Sequence, residues 1–409
     1  MAYVDRSFRP TGTELVCKFF VEPASGVSLE CACENIAAES SVGTWTDVWT
    51  MDKGICDRLA PKVFKLDKKS GEVLIAYPEE LFEQNNMPCV LSSVAGNIFG
   101  MKVVDNLRLL DLQFPRKLAK SFPGPKFGIS GIRKLLKIKE RPLVGTIVKP
   151  KLGLGYRMHA NVAYESWVGG CDIVKDDENL TSQSFNPFRE RIKETLKMLE
   201  RAEKETGEKK VYMPNVSAET GEMLKRAQYV KDCGGTYAMV DVVTVGFSGL
   251  QSLRQQDLGL VLHAHRAMHA AFTRNKKHGI SMLALARLCR LVGMDQLHIG
   301  TAVGKMEGAK SEVMEIRDAI VGDMFGLKTT FPVSSGGLHP GKIPPLIDFI
   351  GNDVIIQAGG GVHGHPGGTR KGAAAMRQAV DATLEDITLE QYAKSHPELK
   401  AAIKKWGTA

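Results

Sequence analysis

Lys175-Asp176-Asp177-Glu178 sets three carboxylates directly behind a lysine, at the end of the short apolar run CDIV. Oxygen donors of this kind suit a hard cation such as Mg²⁺, which takes roughly six ligands in octahedral geometry. Two adjacent carboxylates supply two of them. A lysine ammonium would repel the ion. A lysine that had added CO₂ would be an anionic carbamate and a third ligand. The same tetrad also suits the acidic first turn of a helix, where the macrodipole favours negative charge.

Other clusters have the same flavour. Lys149-Pro150-Lys151 places two lysines two apart on the expected strand 142–151, so on the same face. Paired ammonium groups there would draw an anionic ligand and lower each other's pKa, which suits acid–base work. His263, His265, Arg266 and His269 form a third group, with His298 at the end of a later run. Arg266 could hold a phosphate bidentately. Lys305 sits in Gly300–Gly308, a glycine-flanked stretch expected to hinge over a ligand. Ser335-Gly336-Gly337 and Gly359-Gly360-Gly361 offer backbone N–H groups for an anion. Together they describe one site with a divalent metal, two anion positions and several acid–base groups. The plainer readings are surface lysines, structural histidines and an acidic helix start.

The elements that must position these residues follow a pattern. Eight apolar runs alternate with helical stretches after about residue 125: 142–151, 171–178, 209–218, 237–246, 260–267, 296–302, 329–337 and 353–361. Between them, 186–207 puts Ile192, Leu196 and Leu199 on one helical face, and 280–293 is another helix candidate. The count and length fit an α/β fold with a (β/α)₈ TIM barrel over 126–409, closed by a short C-terminal helical extension. An open doubly wound sheet is the alternative, but its phosphate fingerprint is missing. Each run starts apolar and ends in chemistry: KPK, KDDE, HAHR, HIGT, SSGG, GGG. In a barrel those ends meet at the catalytic face. Residues 1–125 mix strands (15–23, 71–82) with a helix opening at Ser28, which predicts a smaller α+β domain. The Gly/Pro-rich stretch 121–134 is the expected linker.

Composition narrows the class. The chain has 409 residues, 43% hydrophobic and 24% charged, with a formal charge of +8. No Lys/Arg block marks a nucleic-acid tail, and the diffuse positive balance suits an anionic small molecule. No apolar run reaches the roughly 18 residues of a membrane span. MAYVDRSFRP lacks a signal-peptide core. Eight scattered cysteines form no CxxC pair and are expected to be buried free thiols. The expected compartment is therefore the cytoplasm, with neither nucleic acid nor membrane as partner.

The motifs GTIVKPKLGL, GGCDIVKDDEN, LHAHRAMHA, HIGTAVGKMEG, SSGG and QAGGG, with AAESSVGTWTDVWT and GNIFGMK before them, resemble those of the ribulose-bisphosphate carboxylase (RuBisCO) large subunit. The likeness runs from about residue 12 to about 385 in order and spacing. It implies a lyase that adds CO₂ to ribulose 1,5-bisphosphate through a Mg²⁺-bound enediolate, giving two 3-phosphoglycerate, with an O₂ side reaction (oxygenase). It implies that Lys175 is carbamylated by activator CO₂ and binds Mg²⁺ with Asp177 and Glu178. Lys149 would move protons at the reacting carbon, supported by Lys151. Lys305 would stabilise the new carboxylate, and His265 would assist hydration. Arg266 and His298 would hold one phosphate. Thr44, Trp45, Gly336, Gly337, Gly359 and Gly360 would line the other, with Ser335 on a substrate hydroxyl. Glu39 and Asn97 would reach in from a neighbouring subunit, in a homodimer with shared active sites or a higher homo-oligomer.

The chain is shorter than plant-type large subunits and is more similar to the archaeal form III. That implies no small subunit and a place in nucleotide-ribose salvage. Ile147 stands where plant-type enzymes carry Thr. The alternatives are a RuBisCO-like enolase or isomerase of a sulfur-containing sugar phosphate, and a non-catalytic sugar-phosphate binder. Retention of Glu39, Asn97, Lys149, Lys305 and Ser335 together favours the carboxylase.

Overall fold

The computed structural model describes residues 2–44, 46, 48–301, 303 and 310–408. It divides into two compact units. The first comprises residues 1–124, 268–292 and 323–327. Its sheet is built from β1 (Glu14–Pro23), β2 (Lys62–Leu66), β3 (Glu72–Pro78), β4 (Val104–Gln113) and the short β10 (Gly279–Ile280), in the order β10-β4-β1-β3-β2. β1 runs antiparallel to both β3 and β4. Its Leu15, Cys17, Phe19 and Val21 are buried in strict alternation, the period-two pattern of a sheet with one face on a core. The helix Leu29–Glu39 starts where expected. The Ser28 hydroxyl accepts from the Cys31 N–H, satisfying one of the orphan donors of the first turn.

The second unit is the barrel. β5 (Leu143–Ile147), β6 (Ile173–Lys175), β7 (Val211–Met213), β8 (Tyr237–Asp241), β9 (Val261–His265), β11 (Gln296–His298), β12 (Phe331–Ser335) and β13 (Ile355–Gln357) form one parallel sheet. Its order is β7-β6-β5-β13-β12-β11-β9-β8, and a parallel bridge from Asn215 to Met239 joins the two ends. Each predicted apolar run contributes one strand. Most of these strand residues are buried, as expected when helices cover the outside and side chains fill the inside. Leu143, Ile173, Met213, Tyr237, Met239, Val261, Phe331, Val333 and Ile355 pack into one cluster.

Several expectations need correcting. The helix Met282–Leu291 forms as expected, but it groups with the first unit, not the barrel. β5 stops at Ile147, so Lys149 and Lys151 lie in the loop beyond it, not on a strand face. All eight cysteines are free, yet only Cys17, Cys33, Cys171 and Cys289 are buried. Among the described residues, no helix is long and apolar enough to cross a membrane.

Candidate active site

The acidic tetrad divides its labour. Asp176 points away from the others into a buried cage. It accepts from Arg191 Nε (3.1 Å), Tyr212 Oη (2.8 Å) and the Asn215 N–H (3.0 Å). Burial opposes its charge, but Arg191 holds its carboxyl well below the usual carboxylate range. Asp177 and Glu178 face the loop lysines instead. Lys149 Nζ donates to Asp177 Oδ2 and Lys151 Nζ to Glu178 Oε1, each at 2.8 Å. Being in a loop therefore does not separate the two lysines, because adjacent carboxylates collect them. The expected mutual lowering of their pKa values does not hold for Lys151, whose hydrogen bond to Glu178 raises it.

Lys175 is 1% exposed at the end of β6. Its Nζ donates to the Asp176 carbonyl (2.6 Å) and lies 3.9 Å from Glu178 Oε2. Burial pushes its pKa below the ordinary lysine value, although four nearby carboxylates pull the other way. For Glu178, burial raises the pKa, but Lys175 and Lys151 outweigh it and hold the carboxyl at about 2. Asp177, Glu178 and Lys175 thus present only oxygen donors and an amine whose charged form burial disfavours. Among the described residues, no three His, Cys, Asp or Glu are grouped to hold a metal. Two carboxylates need a third anionic ligand, and a carbamate on Lys175 would be one. The donor set fits Mg²⁺ on those terms.

The imidazoles come from β9 and β11. His265 Nδ1 lies 2.7 Å from Asp241 Oδ1, and its Nε2 is 3.7 Å from Glu178 Oε2. His298 Nε2 meets His263 Nε2 at 2.9 Å, and its Nδ1 meets Ser335 Oγ at 2.7 Å. Burial keeps His263 and His298 well below the usual imidazole range. Burial also lowers Arg266 to about 10, and its guanidinium has no ion pair among the described residues. It lies beside Gly300, where an added Cβ would come 3.4 Å from Nη2. Gly336 and Gly337 follow Ser335 with φ of 111° and 69°, left-handed conformations that favour glycine. At Gly359 an added Cβ would sit 3.1 Å from Lys149 Cε, so the glycine lets that lysine pass. Gly360 opens a short helical turn after β13.

In the first unit, Asn97 Nδ2 donates to Glu39 Oε1 at 3.3 Å, so two predicted residues meet across 58 positions of sequence. Thr44 follows the helix that carries Glu39. Trp45 and Lys305 lie outside the described residues. Asp241 was missed. It ends β8 as the other candidate site residues end their strands, but a lone acid in YAMVD carries no cluster to mark it. His363 was also missed; it lies 3.0 Å from the Thr146 hydroxyl.

Eight parallel strands whose C-terminal ends collect lysines, carboxylates and imidazoles on one face define a (β/α)₈-barrel enzyme. Two family descriptions match the chain: "Ribulose bisphosphate carboxylase large chain, catalytic domain" over residues 128–406, and the N-terminal domain of the same chain over 2–118. The chain belongs to the ribulose bisphosphate carboxylase large-chain family and is an enzyme. It is 53% identical to the ribulose bisphosphate carboxylase of Methanosarcina barkeri, covering 99% of this chain and 98% of that one. It is similar to the octameric ribulose-1,5-bisphosphate carboxylase/oxygenase of Pyrococcus horikoshii, with 48% identity, TM-score 0.96 and coverage of 99% and 96%. It is also similar to the dimeric archaeal Rubisco of Hyperthermus butylicus, with 45% identity, TM-score 0.93 and coverage of 100% and 99%.

Proposed function

We propose that this chain carboxylates ribulose 1,5-bisphosphate to two 3-phosphoglycerate, with O₂ as a competing co-substrate. The observation that carries the reading is the buried Lys175, its pKa lowered, beside Asp177 and Glu178. CO₂ adds to a neutral amine, and burial favours that form. Asp177, Glu178 and carbamylated Lys175 would hold Mg²⁺, which would supply Lewis acidity. Lys175 as its carbamate takes the proton that starts enolisation. Lys149, 2.8 Å from Asp177, passes protons at the reacting carbon, with Lys151 beside it. Lys305 balances the carboxylate that forms once CO₂ has added, and His265, oriented by Asp241, serves hydration. Arg266 takes one phosphate, and His298, whose ring nitrogens meet His263 and Ser335, lines its place without donating to it. Thr44, Trp45 and the N–H groups of Gly336, Gly337, Gly359 and Gly360 take the other.

The acting unit in this proposal is a homodimer in which Glu39 and Asn97 serve the partner's barrel. The dimeric and octameric relatives support an oligomer, and the expectation of no small subunit rests on the likeness to the archaeal form. Placement in nucleotide-ribose salvage rests on the likeness to archaeal relatives. The deciding experiment incubates the protein with ribulose 1,5-bisphosphate, Mg²⁺ and labelled CO₂. Acid-stable label in phosphoglycerate is expected. Substrate consumed without label in the product would point to an enolase or isomerase instead.

A further inference from the structure

Three buried side chains and the half-buried Ser335 form a continuous hydrogen-bonded line behind the candidate site. Gln296 Oε1 lies 2.9 Å from His263 Nδ1. His263 Nε2 lies 2.9 Å from His298 Nε2, and His298 Nδ1 lies 2.7 Å from Ser335 Oγ. Gln296 and His263 are fully buried and His298 nearly so. The three links join β9, β11 and β12, which are neighbours in the barrel.

Such a line has a direction. A neutral imidazole donates from one nitrogen and accepts at the other. Burial keeps both rings neutral at ordinary pH. An amide oxygen can only accept, so His263 must carry its proton on Nδ1. Its Nε2 then accepts, and His298 must carry its proton on Nε2. His298 Nδ1 is left as an acceptor, so Ser335 must spend its hydroxyl proton on that nitrogen. The Gln296 amide faces His263 with its oxygen, and its nitrogen has no partner among the described residues. Reversing the amide would reverse every link and turn the Ser335 proton outward.

We infer that Gln296 is a positioning residue: through His263 and His298 it holds Ser335 as a hydrogen-bond acceptor, selecting a substrate that presents a hydroxyl donor there. Gln296 itself touches nothing in the site. The inference rests on the proposed function, in which Ser335 bonds a substrate hydroxyl, and sharpens what that bond demands.

Two measurements test it. The first uses the intact protein with ¹⁵N-labelled histidine and reads tautomers by solid-state NMR, with His263→Phe and His298→Phe to assign the signals. His263 protonated on Nδ1 and His298 on Nε2 is the expected result. The opposite pair, or a protonated imidazolium, overturns the inference, and neither reading needs any turnover. A chain that fails as a carboxylase can therefore still pass or fail here. The second is a double-mutant cycle. Gln296→Met removes the acceptor at similar volume and should raise KM for the sugar bisphosphate roughly five- to tenfold, the value of one directed hydrogen bond, with kcat changed less than about twofold. In a Ser335→Ala background the same change should do almost nothing, because the line no longer ends in a hydroxyl. An equal effect in both backgrounds would show that Gln296 acts only through packing and would overturn the inference. If Gln296→Met does not fold, the tautomer measurement on the unaltered chain decides alone.

Discussion

β6 has an acid at each end, and the two are held in opposite ways. At the bottom, Asp172 is fully buried and its carboxylate is saturated. Arg141 donates twice (2.7 and 2.6 Å), Arg377 once (2.9 Å), and the Val144 N–H once (2.9 Å). Burial opposes the charge, but Arg141 and Arg377 keep its pKa below the ordinary value. At the mouth, Asp177 and Glu178 accept hydrogen bonds from Lys149 and Lys151, whose side chains remain 28% and 56% exposed. Fixed guanidinium forks cannot leave without exposing a buried charge. A flexible ammonium can give way to another cation. One strand thus carries a permanent clamp below and exchangeable partners above, as expected of a barrel that keeps stability at one face and chemistry at the other.

The sharpest way to break this contrast is to remove one residue from each end. Lys175→Ala should lower carboxylation by on the order of 10³-fold or more, because it removes a ligand and a base together. The folded state should persist, since no ion pair of the clamp is touched. Equal activity in Lys175→Ala, measured with labelled CO₂, would sink the assignment. Asp172→Ala should do the reverse. It strands Arg141 and Arg377 without their carboxylate and should cost about 3–5 kcal/mol in denaturant unfolding. Activity per folded molecule should stay near normal. A variant that folds as stably as the parent would show that the clamp is ornamental.

The two ends also differed in legibility. The mouth is legible because candidate site residues cluster at strand ends: KDDE, HAHR and SSGG read as chemistry from the sequence alone. The clamp did not. Arg141, Asp172 and Arg377 are far apart in sequence and meet only when the barrel closes. Within KDDE the spacing could not say which acid turns inward. That is decided by Arg191, Tyr212 and Asn215, which come from other elements and claim Asp176. The placement of Met282–Leu291 with the first unit was equally invisible. Its amphipathic pattern fixes a helix but not the surface it covers, and the Ser281 hydroxyl donating to the Leu110 carbonyl ties it to β4. Strand count and order, by contrast, follow from apolar runs that need no partner to be recognised.

A smaller effect probes whether the mouth is complete within one chain. Glu39→Gln and Lys175→Ala chains, each inactive alone, should complement when mixed. In a heterodimer with shared sites, one site holds both lesions and the other neither, so about half of a normal dimer's activity should return. Verified heterodimers with no activity would show that each chain supplies its own Glu39.

The smallest effect separates the two ends by pH. His363 lies at the mouth between the hydroxyls of Thr146 (3.0 Å) and Thr369 (3.1 Å), and burial pulls its pKa down to about 4. An unfolded histidine titrates near 6.5. As pH falls from about 6.5 to about 4, the unfolded chain takes up this proton and the folded chain does not, so stability falls. The slope from this one group is at most about 1.4 kcal/mol per pH unit. Asp172 acts in a different window. Its folded pKa is depressed, so its contribution is intact above the unfolded value near 3.9 and is lost only as pH drops through the folded one. His363→Gln should therefore flatten the stability profile between pH 6.5 and 4 by one proton's worth, and leave the steeper loss below pH 4 in place. Asp172→Asn should do the opposite. Both comparisons are read from denaturant midpoints at half-unit pH steps. If His363→Gln leaves the slope between pH 6.5 and 4 unchanged, then the ring is protonated within the folded barrel, and burial at the mouth is weaker than its two hydroxyl contacts imply.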